Sequence, residues 1–190
     1  MNESEAEKLN REAKPLRRVD PDLCCEIANS ALQAAKEEGF LFEKGKALHN
    51  ISESYLWSSK LDDAFDYAFQ AKAVFEELNA KVNLGEVNYT VGTIFFYLSD
   101  YENALDEYMK SFKNHEFENN ELGIAKAYNG IGSAYYAINE NEKSIQYLKI
   151  SLKKCETLSN QNLKQKVLDG LGRAYTNLRD YDKALEYLKK

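Results

Sequence analysis

His49 and Glu53 stand four residues apart, the spacing that brings two side chains onto one face of a helix. Such a pair is the start of a metal ligand set or a general base, but His49 and His115 are the only histidines and no third ligand falls at a useful spacing. Cys24, Cys25 and Cys155 complete nothing either. Adjacent cysteines bridge each other only under strain, and zinc needs two spaced Cys/His pairs that this chain lacks. Gly92, Gly132 and Gly172 belong to three distant segments rather than to one loop, so they do not cradle a phosphate. The inventory predicts no catalytic centre, no metal and no cofactor.

The charge pattern narrows the partners. A net charge of -6 arises from 31 acidic and 25 basic residues scattered along the chain, and no basic stripe accompanies the 13 tyrosines. Nucleic acid is therefore not the expected ligand. No run of 18 apolar residues is present, and the opening MNESEAEKLNREAK is polar and acidic, so neither membrane insertion nor export is expected. Three cysteines, an odd number, point to a reducing compartment, and the chain reads as cytoplasmic.

The elements that must position any site emerge from an internal repeat whose period is 40. One column holds Ser52, Gly92, Gly132 and Gly172, and three residues on another holds Tyr55, Phe95, Tyr135 and Tyr175. A third holds Cys24, Ala64, Ala104, Ser144 and Ala184, and a fourth holds Ala31, Ala71, Ser111 and Ser151. Apolar columns at offsets of three and four fill the intervals, as in Ile51, Val91, Ile131 and Leu171. Each unit thus reads as two amphipathic helices, A and B, whose small residues allow close approach while an aromatic fills the remaining gap. Few glycines and only two prolines agree with an all-α chain. The pattern predicts helices over 3–14, 21–37, 41–58, 61–78, 82–98, 101–117, 121–138, 141–158, 162–178 and from 181 onward. Asp20, Asp100 and Asp180 are placed to cap helices, with Pro21 at a first helical position. Cys24, Cys25, Cys155 and His115 fall in packing columns and are expected to be buried rather than reactive. The polar segment before Pro15 reads as a divergent terminal cap or a partly frayed end.

The strings Tyr128-Asn129-Gly130-Ile131-Gly132-Ser133-Ala134-Tyr135-Tyr136 and Asp180-Tyr181-Asp182-Lys183-Ala184-Leu185-Glu186-Tyr187 resemble the two halves of the tetratricopeptide pattern, and Asp100-Tyr101-Glu102-Asn103-Ala104-Leu105 does so as well. Ser52, Ser144 and Asn141 depart from it at the helix-A glycine, the helix-B alanine and the turn tyrosine. The resemblance implies an all-α, right-handed superhelical solenoid of antiparallel hairpins over 1–190. It divides into a divergent hairpin at 1–40, full repeats at 41–80, 81–120 and 121–160, and an incomplete repeat at 161–190. The spacing of 40 exceeds the family's usual 34 and is similar to the long repeats of cell-polarity adaptors and of arrays in bacterial signalling proteins, peptide-pheromone regulators among them.

The family resemblance also implies that A helices line a concave groove. On that register the groove residues are Lys46, His49, Asn50, Glu53 and Trp57; Glu86, Tyr89, Thr90, Thr93 and Tyr97; Lys126, Asn129, Ser133 and Tyr136; and Lys166, Asp169, Arg173 and Asn177. Amides, hydroxyls and aromatics of this kind suit a peptide or protein segment. Lys126, Asn129, Lys166 and Arg173 have the chemistry of a clamp for a terminal carboxylate, but His49, Tyr89 and Asp169 interrupt its columns. The expected role is a non-catalytic binding scaffold. The alternative is a sensory or regulatory module of a larger bacterial signalling protein, because the sequence stops inside a B helix, where Leu185 and Leu188 would also permit self-association.

Overall fold

A computed structural model of the chain describes residues 3–189 and places ten α-helices in tandem, with no strand among the described residues. They are α1 (Glu5–Ala13), α2 (Pro21–Glu38), α3 (Leu41–Trp57), α4 (Leu61–Glu77), α5 (Lys81–Tyr97), α6 (Tyr101–Phe117), α7 (Glu121–Ala137), α8 (Asn141–Thr157), α9 (Gln161–Asn177) and α10 (Tyr181–Leu188). Odd-numbered helices are the A helices and even-numbered ones the B helices. From α3 to α9 the helices are equal in length and evenly spaced, so the backbone repeats at half the period of the side chains. None of the described helices is long and apolar enough to cross a membrane.

The turns explain this regularity. Ser59, Asn79, Ser99, Asn119, Asn139, Ser159 and Arg179 all adopt the left-handed conformation, with φ between 50° and 65°. In each case the next amide donates to the carbonyl five residues back, as in Lys60 N to Tyr55 O and Asn120 N to His115 O, both at 2.9 Å. This is the Schellman closure of a helix, which satisfies carbonyls that would otherwise be orphaned. Side-chain caps open the next helix: Asp20, Asp100 and Asp180 accept from the amides of Leu23, Asn103 and Lys183, as the sequence predicts, and Asn120 and Asn160 do the same for α7 and α9.

The expected divergent start is an ordered helix. Ser4 caps α1 through the Glu7 amide, and a 3-10 turn at Lys14–Leu16, containing Pro15, ends it. Its buried side chains are Ala6, Asn10 and Ala13, so α1 is held in place with little apolar burial.

Chain contacts gather into two compact units, one ending at Ile94 and the other beginning at Phe95, within α5. In the first, α2 packs against α1 and α3, α3 packs against α4, and α1 also touches α3. Ala28, Ala31, Ala64, Ala68 and Ala71 of the B helices are fully buried beside Ile51 and Phe75. Ser52 stands in for the helix-A glycine and donates its hydroxyl to the Ala64 carbonyl at 2.7 Å, which ties the hairpin together. In the second unit, Leu148, Leu152, Val167, Leu168, Leu171 and Tyr175 form the core of α7 to α10. Gly132 is required there, since a Cβ would lie 2.7 Å from Leu148 Cγ. The aromatic column works as a set of intra-hairpin ring contacts, Tyr135 stacked on Tyr147 and Tyr175 on Tyr187, with Tyr55 tilted against Tyr67, all with ring centroids 5.4 to 5.5 Å apart. Cys24, His115 and Cys155 are buried, as expected, whereas Cys25 is only half-buried, and burial pushes the Cys24 thiol up to about 11.

Candidate functional site

The A-helix face of the first unit is not the solvated surface that the register predicts. His49 and Asn50 are 3% and 1% exposed, and Thr90 is equally buried, so these three side chains cannot line an open groove. The reason is a polar network between α1, α3 and α5. Asn10 donates to the Glu43 carbonyl and carboxylate, both at 2.9 Å, and Glu43 in turn holds Lys46 at 2.9 Å. Asn50 donates to the Asn10 side-chain oxygen at 3.0 Å, which fixes the orientation of its amide and leaves Oδ1 to accept from Arg17 Nε at 2.7 Å. Arg17 also donates through Nη1 to Glu53 Oε2 at 2.6 Å. Neighbouring Arg18 lays its guanidinium 4.0 Å from the centroid of the Trp57 ring.

His49 completes the network. Its Nε2 lies 2.9 Å from Thr90 Oγ1, and the Thr90 hydroxyl lies 3.2 Å from Glu53 Oε1. With the proton on Nε2, His49 donates to Thr90 and Thr90 donates to Glu53. Burial, then the nearby Arg17 charge, lowers the His49 pKa to about 4, so the ring is neutral at pH 7. Among the described residues no group of three His, Cys, Asp or Glu side chains is arranged to hold a metal ion.

Glu86 of α5 takes part through its backbone carbonyl, whereas the Tyr89 carbonyl is used within α5. The Glu86 carbonyl shares the Thr90 hydroxyl proton at 3.2 Å, and the Tyr89 carbonyl accepts from Thr93 at 2.9 Å. Glu53, Trp57, Glu86, Tyr89 and Thr93 are half-buried, while Tyr97, at the end of α5, is 53% exposed.

The second unit keeps a more open A-helix face. Arg173 of α9 stacks over Tyr136 of α7, 4.8 Å from the ring centroid. Asn177 donates to Asn141 Oδ1 at 3.3 Å, and Ser133 donates back to the Asn129 carbonyl at 2.9 Å. Lys166, Asp169, Arg173 and Asn177 are exposed, and Lys126, Asn129, Ser133 and Tyr136 are half-buried. The two faces differ because of one column. Asn10, Asn50, Thr90, Gly130 and Gly170 are successive occupants, so polar side chains fill the first unit where glycines stand in the second. Gly130 makes room for a B helix, since a Cβ there would lie 2.7 Å from the Tyr108 ring, while Gly170 faces the Leu148 methyl 3.1 Å from where a Cβ would stand.

Asn10, Arg17 and Glu43 are members of the network that the sequence pattern did not single out. The available signal was the equal spacing of Asn10, Asn50 and Thr90, which places the first segment in register as an A helix.

Tandem antiparallel hairpins with small-residue contacts and Schellman turns define a helical-repeat solenoid, the fold of protein-interaction scaffolds. Tetratricopeptide repeat models match residues 125–162 and 167–190. Together with solved structures of the same architecture, they show the fold to be a tetratricopeptide-type helical-repeat solenoid. A Rap protein complexed with competence and sporulation factor is similar at a TM-score of 0.86 and 17% identity, over 96% of this chain and 51% of its own. The apo form of RapI is similar at 0.76 and 22% identity, over 97% of this chain and 52% of its own. A kinesin light chain with TPR-like repeats from Podosopora anserina matches at 0.72 and 10% identity, over 96% and 90%. The chain thus spans about half the length of the two Rap structures. None of the curated proteins matches it significantly by sequence.

Proposed function

We propose that the chain binds a peptide, or an extended segment of a partner protein, on its A-helix faces, with α7 and α9 as the principal surface and without catalysing a reaction. The observation that carries this is the Arg173–Tyr136 pair, flanked by Lys126, Asn129, Lys166, Asp169 and Asn177 on the open face of the second unit. Amides and charged groups of this kind pair with a peptide backbone and its polar side chains, and a half-buried ring beside a guanidinium gives an anchor for an apolar or aromatic residue. That a structurally similar Rap protein is complexed with competence and sporulation factor supports the same use of the fold. The test is selection of binders from a displayed peptide library, followed by titration against variants. The Asn129→Ala/Arg173→Ala double variant is expected to weaken a selected peptide by roughly tenfold or more, whereas Phe69→Ala on α4 leaves it unchanged. Equal binding by the double variant would remove this face from the reading.

A second reading, a sensory or regulatory module within a larger bacterial signalling protein, is favoured by one observation: the Rap structures are about twice as long as the segment they share with this chain. An antibody raised against the chain should then detect a substantially longer polypeptide in its source cells, and a native product of 190 residues would dismiss the idea.

A further inference from the structure

The first unit carries a complete recognition site that is already occupied. Asn50 Oδ1 and Glu53 Oε2 receive two different nitrogens of the Arg17 guanidinium at 2.7 and 2.6 Å, and Trp57 receives the flat face of Arg18. Each element of that site is fixed from behind. The Asn50 amide is oriented by Asn10, the second oxygen of Glu53 is engaged by Thr90, and neutral His49 adds no competing positive charge beside the carboxylate. A planar, multidentate cation is the chemistry such a site selects, since an ammonium would satisfy one oxygen and stack poorly.

The segment that fills it buries little apolar surface. Arg17 and Arg18 follow the Pro15-containing 3-10 turn, Val19 beside them is 82% exposed, and α1 behind them buries only two alanines and Asn10. Segments with so little apolar burial open locally at modest free-energy cost. We propose that the α3 surface formed by Asn50, Glu53 and Trp57 is a binding site for a partner segment bearing two adjacent arginines, held closed in cis by Arg17 and Arg18 and exposed when the α1–α2 connection moves aside. The site is separate from the α7/α9 face, and the two proposals succeed or fail independently.

Trp57 is the only tryptophan in the chain and lies in the site, so its fluorescence reports occupancy directly. The probe is the chain's own segment Lys14–Val19 as a capped hexapeptide, with a control in which both arginines are glutamine. In the Arg17→Ala/Arg18→Ala variant, Trp57 emission should change relative to the native chain, and the arginine peptide should restore it saturably while the glutamine peptide does not. The native chain should bind the arginine peptide at least roughly tenfold more weakly, because only its open fraction is competent. Should the double variant lose helical signal, Arg17→Gln/Arg18→Gln serves, since it keeps amide donors beside Asn50 and Glu53 while removing both guanidinium groups. A folded variant whose Trp57 signal is indifferent to the arginine peptide, or answers both peptides alike, overturns the proposal, as does native binding equal to that of the variant.

Discussion

Acidification should unfasten the first unit through His49. The folded ring titrates at about 4 and the ordinary value is 6.5, so between these pH values the unfolded chain binds a proton that the folded chain refuses. Stability from this group is therefore complete above pH 6.5, falls as pH drops toward 4, and levels off below. The full span corresponds to roughly 3 kcal/mol, and by pH 5 about 2 kcal/mol is lost. With a urea slope of about 2 kcal/mol per molar, the unfolding midpoint should fall by about 1 M between pH 8 and pH 5 from this group alone. Carboxylates titrate over the same range, so the informative comparison is with His49→Gln, whose amide still donates to Thr90 but takes up no proton. Urea titrations followed by Trp57 fluorescence, which reports this unit, should show the native chain losing about 2 kcal/mol more than the variant between those pH values. The groups facing His49 are Arg17, Glu53, Glu86 and Lys14, and of these Arg17 contributes most after burial. Equal acid sensitivity in the two proteins would refute the idea that this buried ring carries the proton linkage.

Four substitutions test the packing. Ser144 Oγ is buried without a hydrogen-bond partner and sits in the column otherwise held by Cys24, Ala64, Ala104 and Ala184, so Ser144→Ala should be neutral to stabilising by about 1 kcal/mol in thermal melts. Gly123→Ala should destabilise the second unit by about 2 kcal/mol in urea titrations, since its Cβ would fall 2.3 Å from the buried His115 ring. Gly170→Ala should be tolerated in the same assay, because the nearest atom is a Leu148 methyl at 3.1 Å and alanine favours the helix by about 1 kcal/mol. Arg179→Gly should raise the melting temperature, since its left-handed φ of 61° costs an ordinary side chain about 1 kcal/mol or more.

How far the sequence reached depended on what kind of information each feature needs. Helix positions and the caps at Asp20, Asp100 and Asp180 rest on local chemistry and periodicity, both of which are written in consecutive residues. Burial of Cys24, His115 and Cys155 followed from their columns for the same reason. The placement of His49 and Asn50 on a solvated face failed because their environment is made by a different segment. Nothing near them in sequence announces that Arg17 will fold over Glu53, and a polar α1 looks like a frayed end until Asn10 is set against Asn50. Buried polar networks read as surface in any scheme that sorts residues by hydrophobicity, since the donors that satisfy them come from another helix or turn, far off in the sequence.

The left-handed turns have a consequence for how such a chain can change length. Because the same closure recurs after every helix from α3 to α9, a block cut at Ser59 and Ser99, or at Asn119 and Ser159, begins and ends on equivalent backbone. Duplication or excision of that block would rejoin like with like, so recombination could lengthen or shorten the array without inventing a new junction. Side-chain columns would then decide which copies kept an open face and which drifted toward a closed, polar one.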